Sequence, residues 1–281
     1  MPIRYLIPRT GFSSLLALSL IAVSIPAAPA VTLRSGDASV EVTPDGRILN
    51  LTFAGDQAVC PEIIPWRAIW DGGQHNAVPD RKNGPSLRCT DEGVAVSVTA
   101  VEGAGAAFLD FDHPDVRVLM RIELAERHLD LIPYRVTNRR EERLAGMETP
   151  SAAYHPVTDH SQYIGVAWGG LALQAEALRQ GASYKTHCPQ APHDIALMID
   201  RPLSLATFSV QPLTQVPFRR TTFGPVGEKA AEKGWSGLSH QLSMWAAQGQ
   251  TEALPPVRLA VGAGAVELFD AYRAANGMND W

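Results

Sequence analysis

A hydrophobic period of two constrains this chain more than any other feature of its sequence. In "VRVLMRIEL", Val116, Val118, Met120, Ile122 and Leu124 fall on one side of an extended backbone. Successive strand residues point to opposite faces, so this pattern predicts a half-buried strand. The same alternation fills "SVEVTPDGRILNLTF" (39–53), where Pro44-Asp45-Gly46 supplies turn chemistry between Val40/Val42 and Leu49/Leu51/Phe53. It returns in "VAVSVTAV" (94–101) and in "VRLAV" (257–261), a final strand after Pro255-Pro256. "IALMI" (195–199) and "LSLATFSV" (203–210) flank Asp200-Arg201-Pro202 as a second hairpin. In "HLDLIPYRVTN", Leu129 and Leu131 keep one phase while Ile132, Tyr134 and Val136 keep the other. The slip falls at Pro133 and predicts a bulge or a sheet edge. Many strands with turns between them and few helices specify an all-β antiparallel sandwich or barrel. "LALQAEALRQG" (171–181) has helical composition and reads equally well as a pair of strands. There is no internal repeat and no low-complexity linker.

Residues 1–30 read as a secretory signal peptide: Arg4 and Arg9, a short apolar run from Phe12 to Ile25, then Ala28-Pro29-Ala30 as a cleavage site. The run is too short for a membrane anchor and is broken by Pro26. A secreted or periplasmic location is therefore expected, with no membrane span later in the chain. The net charge of −5, more acidic once Arg4 and Arg9 are removed, argues against nucleic acid and anionic membranes as partners. Cys60, Cys89 and Cys188 make an odd count, which leaves at least one thiol unpaired within the chain. A Cys60–Cys89 bridge and three unpaired thiols are both open.

Three stretches carry candidate chemistry. In "LDFDHPD", Asp110 and Asp112 share a strand face about 7 Å apart, inside the roughly 6.5–9.5 Å window of an inverting glycosidase pair. A polar turn through Asp112, His113 and Asp115 explains the same letters without catalysis. "YHPVTDHSQY" brings His155, Asp159 and His160 into a loop, with Trp168 close behind, and is the best candidate for substrate binding. "PWRAIWDGG" puts Trp66 and Trp70 four residues apart, either as a sugar-stacking platform or, with Ile64 and Ile69 beside them, as core. No G-x-S-x-G, P-loop or zinc spacing occurs, and neither a metal nor another cofactor is expected.

The order "PWRAIWDGG", "HLDLIPYRVTNRREERLAGMETPS", "YIGVAWGG" and "PVRLAVGAGAVELFDAYRAANG" resembles the N-terminal region of bacterial secreted glycoside hydrolase-like proteins. In those proteins a β-supersandwich of the galactose-mutarotase-like kind precedes a TIM barrel. The resemblance implies a supersandwich over residues 31–262 and a helical connector over 263–281, with the catalytic carboxylates in a barrel that this sequence does not contain. It also implies a carbohydrate ligand and a non-catalytic role. Galactose mutarotases use a histidine acid and a glutamate base within the sandwich. Their asparagine–histidine–aromatic signature has no match here, because His75-Asn76 runs in the reverse order and Ala77 follows. A free-standing sugar-active enzyme, such as an epimerase or lyase, and a structural or adhesion sandwich are the rival readings. In the tail, Leu268, Phe269, Tyr272 and Ala275 share a helical face, with Asn276-Gly277 as its stop. As a connector that has lost its partner, the tail is expected to pack Leu268 and Phe269 on the sandwich and to leave Tyr272, Met278 and Trp281 exposed or covered by a second molecule; in a closed one-domain protein it docks fully on its own sheet.

Overall fold

The first hairpin shows how local chemistry sets the architecture. Strands β1 (Val31–Ser35), β2 (Ala38–Val42) and β3 (Ile48–Thr52) pair antiparallel. Gly46, in the turn between β2 and β3, has φ +79°, a region that only glycine enters without strain. A Cβ there would also lie 2.3 Å from the Phe111 ring. The turn therefore tucks under the facing sheet as well as reversing the chain.

The structure is a computed structural model and describes residues 29–53, 58–72, 84–166, 171–174, 184–185, 195–210, 219–224 and 232–278. Among these residues, eleven strands form one sheet. After β1 to β3 it takes in β4 (Ala58–Ile64), β5 (Arg67–Trp70) and β6 (Ser86–Arg88). Ten strands form the second sheet, beginning with β7 (Ala95–Val101), β8 (Ala106–Asp112), β9 (Val116–Ala125) and β10 (His128–Asn138). The chain then returns to the first sheet as β11 (Leu144–Glu148) and β12 (Ala152–Pro156), and to the second as β13 (Gln162–Val166) and β14 (Leu171–Gln174). Next come β15 (Tyr184–Lys185, first sheet), β16 (Ile195–Ile199) and β17 (Ser204–Ser209, second sheet), and β18 (Arg219–Gly224) with β19 (Trp235–Ala246) in the first. Strands β20 (Thr251–Glu252) and β21 (Val257–Gly262) join the second sheet before helix α1 (Ala265–Ala275).

Every pairing among the described residues is antiparallel, so the period-two pattern is met by a two-sheet β-sandwich. Alternate residues of both sheets fill one shared core, with Leu109, Phe111, Val118, Met120 and Ile122 from one sheet and Ile48, Leu51, Ile63, Leu238 and Leu242 from the other. The slip at Pro133 is a bulge, since the β9–β10 register shifts between Ile132 and Arg135. Leu129, Leu131 and Val136 all stay buried across it, while Tyr134 turns outward. In "LALQAEALRQG", Leu171–Gln174 is a strand, and the remainder lies outside the described residues.

Two expectations are corrected here. Trp66 and Trp70 are core residues, at 0% and 1% exposure, and form no sugar-facing platform. Trp66 meets Phe111 of the other sheet edge-on at 5.5 Å, and the Trp70 indole N–H donates to Asn138 Oδ1 at 3.0 Å. The tail departs from the connector expectation at Tyr272 and Met278, while Leu268 packs on the sandwich as expected. α1 lies on the outward side of β16, β17 and β21, where Leu268 is fully buried with Ile195, Leu197 and Phe208. Tyr272 meets Phe208 edge-on at 5.2 Å instead of standing exposed, and Met278 is half-buried. Trp281 lies outside the described residues. Cys60 and Cys89 are both buried as free thiols, so there is no bridge between them, and Cys188 lies outside the described residues. Burial pushes each of the two thiols up to about 12.

Candidate functional site

Strand β19 carries the sequence WSGLSHQLSMWA. Leu238, Leu242, Met244 and Ala246 face the core, so Ser239, Gln241 and Ser243 face outward. An outward face normally meets water, yet these three residues are 3%, 0% and 6% exposed. Buried polar groups are usually hydrogen-bonded, and the register sets charged and amide residues side by side on this face. Gln241 sits beside Glu148 of β11, Glu148 beside Arg67 of β5, and Arg67 beside Arg88 of β6. On the other side Gln241 is opposite Arg220 of β18. One row of charged and amide residues therefore crosses the large sheet.

Arg67 and Glu148 form the centre of that row. The Arg67 Nη2 donates to Glu148 Oε1 at 3.2 Å, and its Nε lies 2.9 Å from Oε2 without aiming its hydrogen there. The side chains are 17% and 3% exposed. A carboxylate this deeply buried stays in place only when paired, since burying an isolated charge costs several kcal/mol. The Arg67 Nε–H and the Ser243 hydroxyl have no hydrogen-bond partner among the described residues. Both belong to side chains on the face that carries Glu148, and both atoms are buried.

Small residues surround the row. Gly146 is paired with Ser243, Ala152 follows on β12, and Gly237 is paired with both Tyr154 and Gly224. Ile69 beside Gly146 and Ile64 beside Ala152 are the large apolar side chains among them. At one end Tyr154 and Trp235 are in ring contact at 6.1 Å with a 35° tilt, and Lys233 Nζ stands 4.3 Å over the Trp235 ring. Burial raises the Tyr154 phenol, the Arg88 cation opposes that shift, and the Glu62 carboxylate adds to it. Arg47 reaches Glu62 at 3.4 Å and Asp45 at 2.8 Å. The arrangement is a sheet face with one anchored carboxylate, guanidinium and amide donors, and aromatic rings at its edge.

The residues named from sequence are dispersed. His155 pairs in register with Ser236 on the core side of β12, stacks on Tyr163 at 5.2 Å, and is 1% exposed. Its Nδ1 lies 2.9 Å from the Pro156 carbonyl oxygen, which fixes the proton on Nδ1. Burial pushes its imidazole down to about 4, against smaller upward pulls from Pro156 O and Asp200. His155 also lines a 110 Å³ cleft with Val59, Thr158, Met198, Asp200 and Leu203. Asp200 there accepts hydrogen bonds from the hydroxyls of Thr158 and Ser161 and from the Arg201 amide, tying the 157–161 loop to the β16–β17 turn. Asp159 and His160 sit in an exposed turn away from that cleft, and Trp168 lies outside the described residues.

Asp110 and Asp112 do share a strand face, but it is the outward face of the second sheet. Arg117 grips Asp110 at 3.0 and 2.7 Å, and Arg139 grips Asp112. Hydrogen bonds from Arg117 hold the Asp110 carboxyl below its ordinary range. That is the reverse of what a general acid needs, so Asp110 is not suited to the acid role in a glycosidase pair.

Sequence reasoning passed over Arg67, Glu148, Gln241 and Tyr154 as site residues. The available signal was a charged residue inside an apolar strand, Arg67 in "PWRAIW" and Glu148 in "LAGME", because such residues are seldom buried without a partner.

No protein-family model matches the chain, and no curated protein matches it in sequence. Solved structures do match in shape. A Synechocystis sp. PCC 6803 protein aligns over 84% of this chain and 96% of its own length, at 12% identity and TM-score 0.54. A galactose mutarotase-related enzyme from Lactobacillus acidophilus aligns over 84% and 98%, at 9% identity and TM-score 0.51. A provisionally assigned aldose 1-epimerase from Escherichia coli K12 aligns over 84% and 99%, at 12% identity and TM-score 0.50. The fold is thus a galactose mutarotase-like β-supersandwich. At this identity the likeness concerns the fold, and function has to be argued from the site.

Proposed function

We propose that this chain is an exported carbohydrate-binding supersandwich whose ligand lies on the outward face of the large sheet, across Arg67, Glu148 and Gln241. The carrying observation is the buried Arg67–Glu148 pair among small residues, with Tyr154 and Trp235 at its edge. Sugars present neighbouring hydroxyls that donate to a carboxylate and accept from a guanidinium or amide, while their C–H faces stack on aromatic rings. Glu148 serves as a fixed hydroxyl acceptor, held in place by Arg67. The leader-like residues 1–30 support export. The resemblance to barrel-bearing glycoside hydrolase-like proteins supports a non-catalytic role beside a TIM barrel.

A second reading has its own support. The structural neighbours named above include a galactose mutarotase-related enzyme, aligned over 98% of its own length. Under that reading the same face performs sugar epimerisation, with Glu148 and Tyr154 nearest the substrate.

Amide shifts in the labelled protein, titrated with neutral hexoses and their oligomers, test the binding reading. Shifts should cluster at Gly146, Glu148, Gly237 and Gln241. They should vanish in Gln241→Ala and Tyr154→Ala, with the amide pattern elsewhere unchanged as the check on folding. Shifts confined to other faces would reject the site. Polarimetry on freshly dissolved galactose and glucose separates the readings: acceleration lost in Tyr154→Phe would favour the enzyme.

A further inference from the structure

Outside that face, the described residues hold one cleft whose charged lining is entirely cationic. It opens on the outward side of the second sheet and has a volume of about 270 Å³. Arg117 and Leu119 of β9, Arg135 and Thr137 of β10, Arg139, Gly249 and Thr251 line it. The cleft lies near the lower end of the ~300–1,000 Å³ range of small-ligand pockets, enough for a single sugar unit.

The three guanidinium groups are not equivalent. Arg117 gives its Nε and Nη2 to Asp110, and Arg139 gives its Nη1 to Asp112 and the His113 carbonyl. Each is thereby oriented and largely neutralised, and each keeps unused N–H groups. Arg135 is exposed and has no carboxylate partner among the described residues. Thr137 and Thr251 share a 2.8 Å hydroxyl hydrogen bond across β10 and β20. No carboxylate lines the cleft, so its side chains offer cationic donors, hydroxyls and one apolar contact at Leu119.

An aromatic pair adjoins it. The bulge at Ile132–Arg135 turns Tyr134 outward beside Arg135. Tyr134 and Phe108 are each 40% exposed and meet edge-on at 6.1 Å, with Arg121 5.6 Å over the Phe108 ring. The register places Tyr134 in the bulge between the Arg121 and Leu119 rungs of β9, and Leu119 lines the cleft.

We propose that this cleft is a second saccharide site, selective for a sugar unit that carries an oxyanion. The oxyanion pairs with Arg135 and with the spare donors of Arg117 and Arg139, and the neighbouring ring rests against Tyr134. Guanidinium recognition of carboxylate or sulfate is planar and forked, and the ordered flanking arginines provide that fork. The chain as a whole is acidic, at −5, so the attraction is local and screened by salt.

The test uses the full chain and five probes: trigalacturonate, its fully methyl-esterified form, galactose 6-sulfate, galactose 6-phosphate and hexaglutamate. Binding is read from amide shifts at Arg135–Thr137 and Thr251. Trigalacturonate or one of the acid esters should bind, and which of them binds tightest identifies the oxyanion. The methyl ester should bind at least tenfold more weakly. Arg135→Ala should weaken the acidic sugar about tenfold, whereas Gln241→Ala on the other sheet should leave it unchanged. Equal binding of ester and acid, full affinity in Arg135→Ala, or no shift with any acidic sugar would overturn the proposal. So would hexaglutamate binding as tightly as trigalacturonate, since that marks a mere charge patch.

Discussion

Replacing His155 with glutamine should remove a defined part of the acid sensitivity of this fold. The imidazole is buried between the sheets, beside Tyr163 and opposite Ser236, with Asp200 the charged group that acts on it. Burial pushes it from 6.5 down to about 4. Above about pH 6.5 the group is neutral whether the chain is folded or not, so it contributes nothing to pH dependence. Between about 6.5 and 4 the unfolded chain takes up a proton that the folded chain refuses. Stability therefore falls as pH falls through that window, and the loss levels off below it. A depression of about 2.5 units at about 1.4 kcal/mol per unit gives a loss on the order of 3 kcal/mol. Urea unfolding of the wild type and of His155→Gln at pH 7, 5.5 and 4 measures it. Acidic groups that also titrate in this range contribute to both proteins and cancel in the difference. Glutamine keeps a donor for the Pro156 carbonyl, so the variant should fold with a modest penalty at pH 7. The expected result is a wild-type slope steeper by about 3 kcal/mol between pH 6.5 and 4. Parallel slopes would show that His155 is hydrated or charged in the folded state, and the buried inter-sheet setting would be wrong.

Three further perturbations bear on the fold and on the central pair. Arg67→Ala removes the guanidinium that pairs the 3%-exposed Glu148 carboxylate and should cost about 3 kcal/mol, a fall in melting temperature of roughly 6–12 °C. The double variant Arg67→Met/Glu148→Leu should recover most of that loss, and a single variant that melts like the wild type would refute the buried pair. Leu268→Ala, or removal of residues 265–281, should destabilise the sandwich by about 2–5 kcal/mol because Leu268 is fully buried against β16 and β17. An unchanged melting temperature would mean that α1 is detached in solution. Thiol labelling with peptide mapping should leave Cys60 and Cys89 unmodified in the native protein and modify both in urea, since burial holds each thiol near 12.

The strands were legible because alternation needs no tertiary information. Val116 to Leu124 read as one buried face, and they form one. The Pro133 slip was legible for the same reason, since a bulge is the only local way to keep Leu129, Leu131 and Val136 on one side. The site was not legible. Arg67, Glu148 and Gln241 lie far apart in sequence and meet only through the β5–β11–β19 register, which no local pattern encodes. The two tryptophans stayed ambiguous because their spacing is the same for a surface platform and for core. Asp110 and Asp112 misled because a strand sets their spacing but says nothing of Arg117 and Arg139, which arrive from β9 and the end of β10. The tail misled because helical periodicity shows an apolar face without naming what covers it, and Phe208 does so here.

The most direct test of the central claim is a crystal structure of the protein soaked with the neutral saccharide that shifts its amides most. The account expects ring density on the outward face of the large sheet. A hydroxyl should lie within hydrogen-bond distance of Glu148, and the sugar should be flanked by Tyr154 or Trp235. Clear saccharide density in the His155 cleft or over Asp110 and Asp112, with the Arg67–Glu148 face empty, would contradict it.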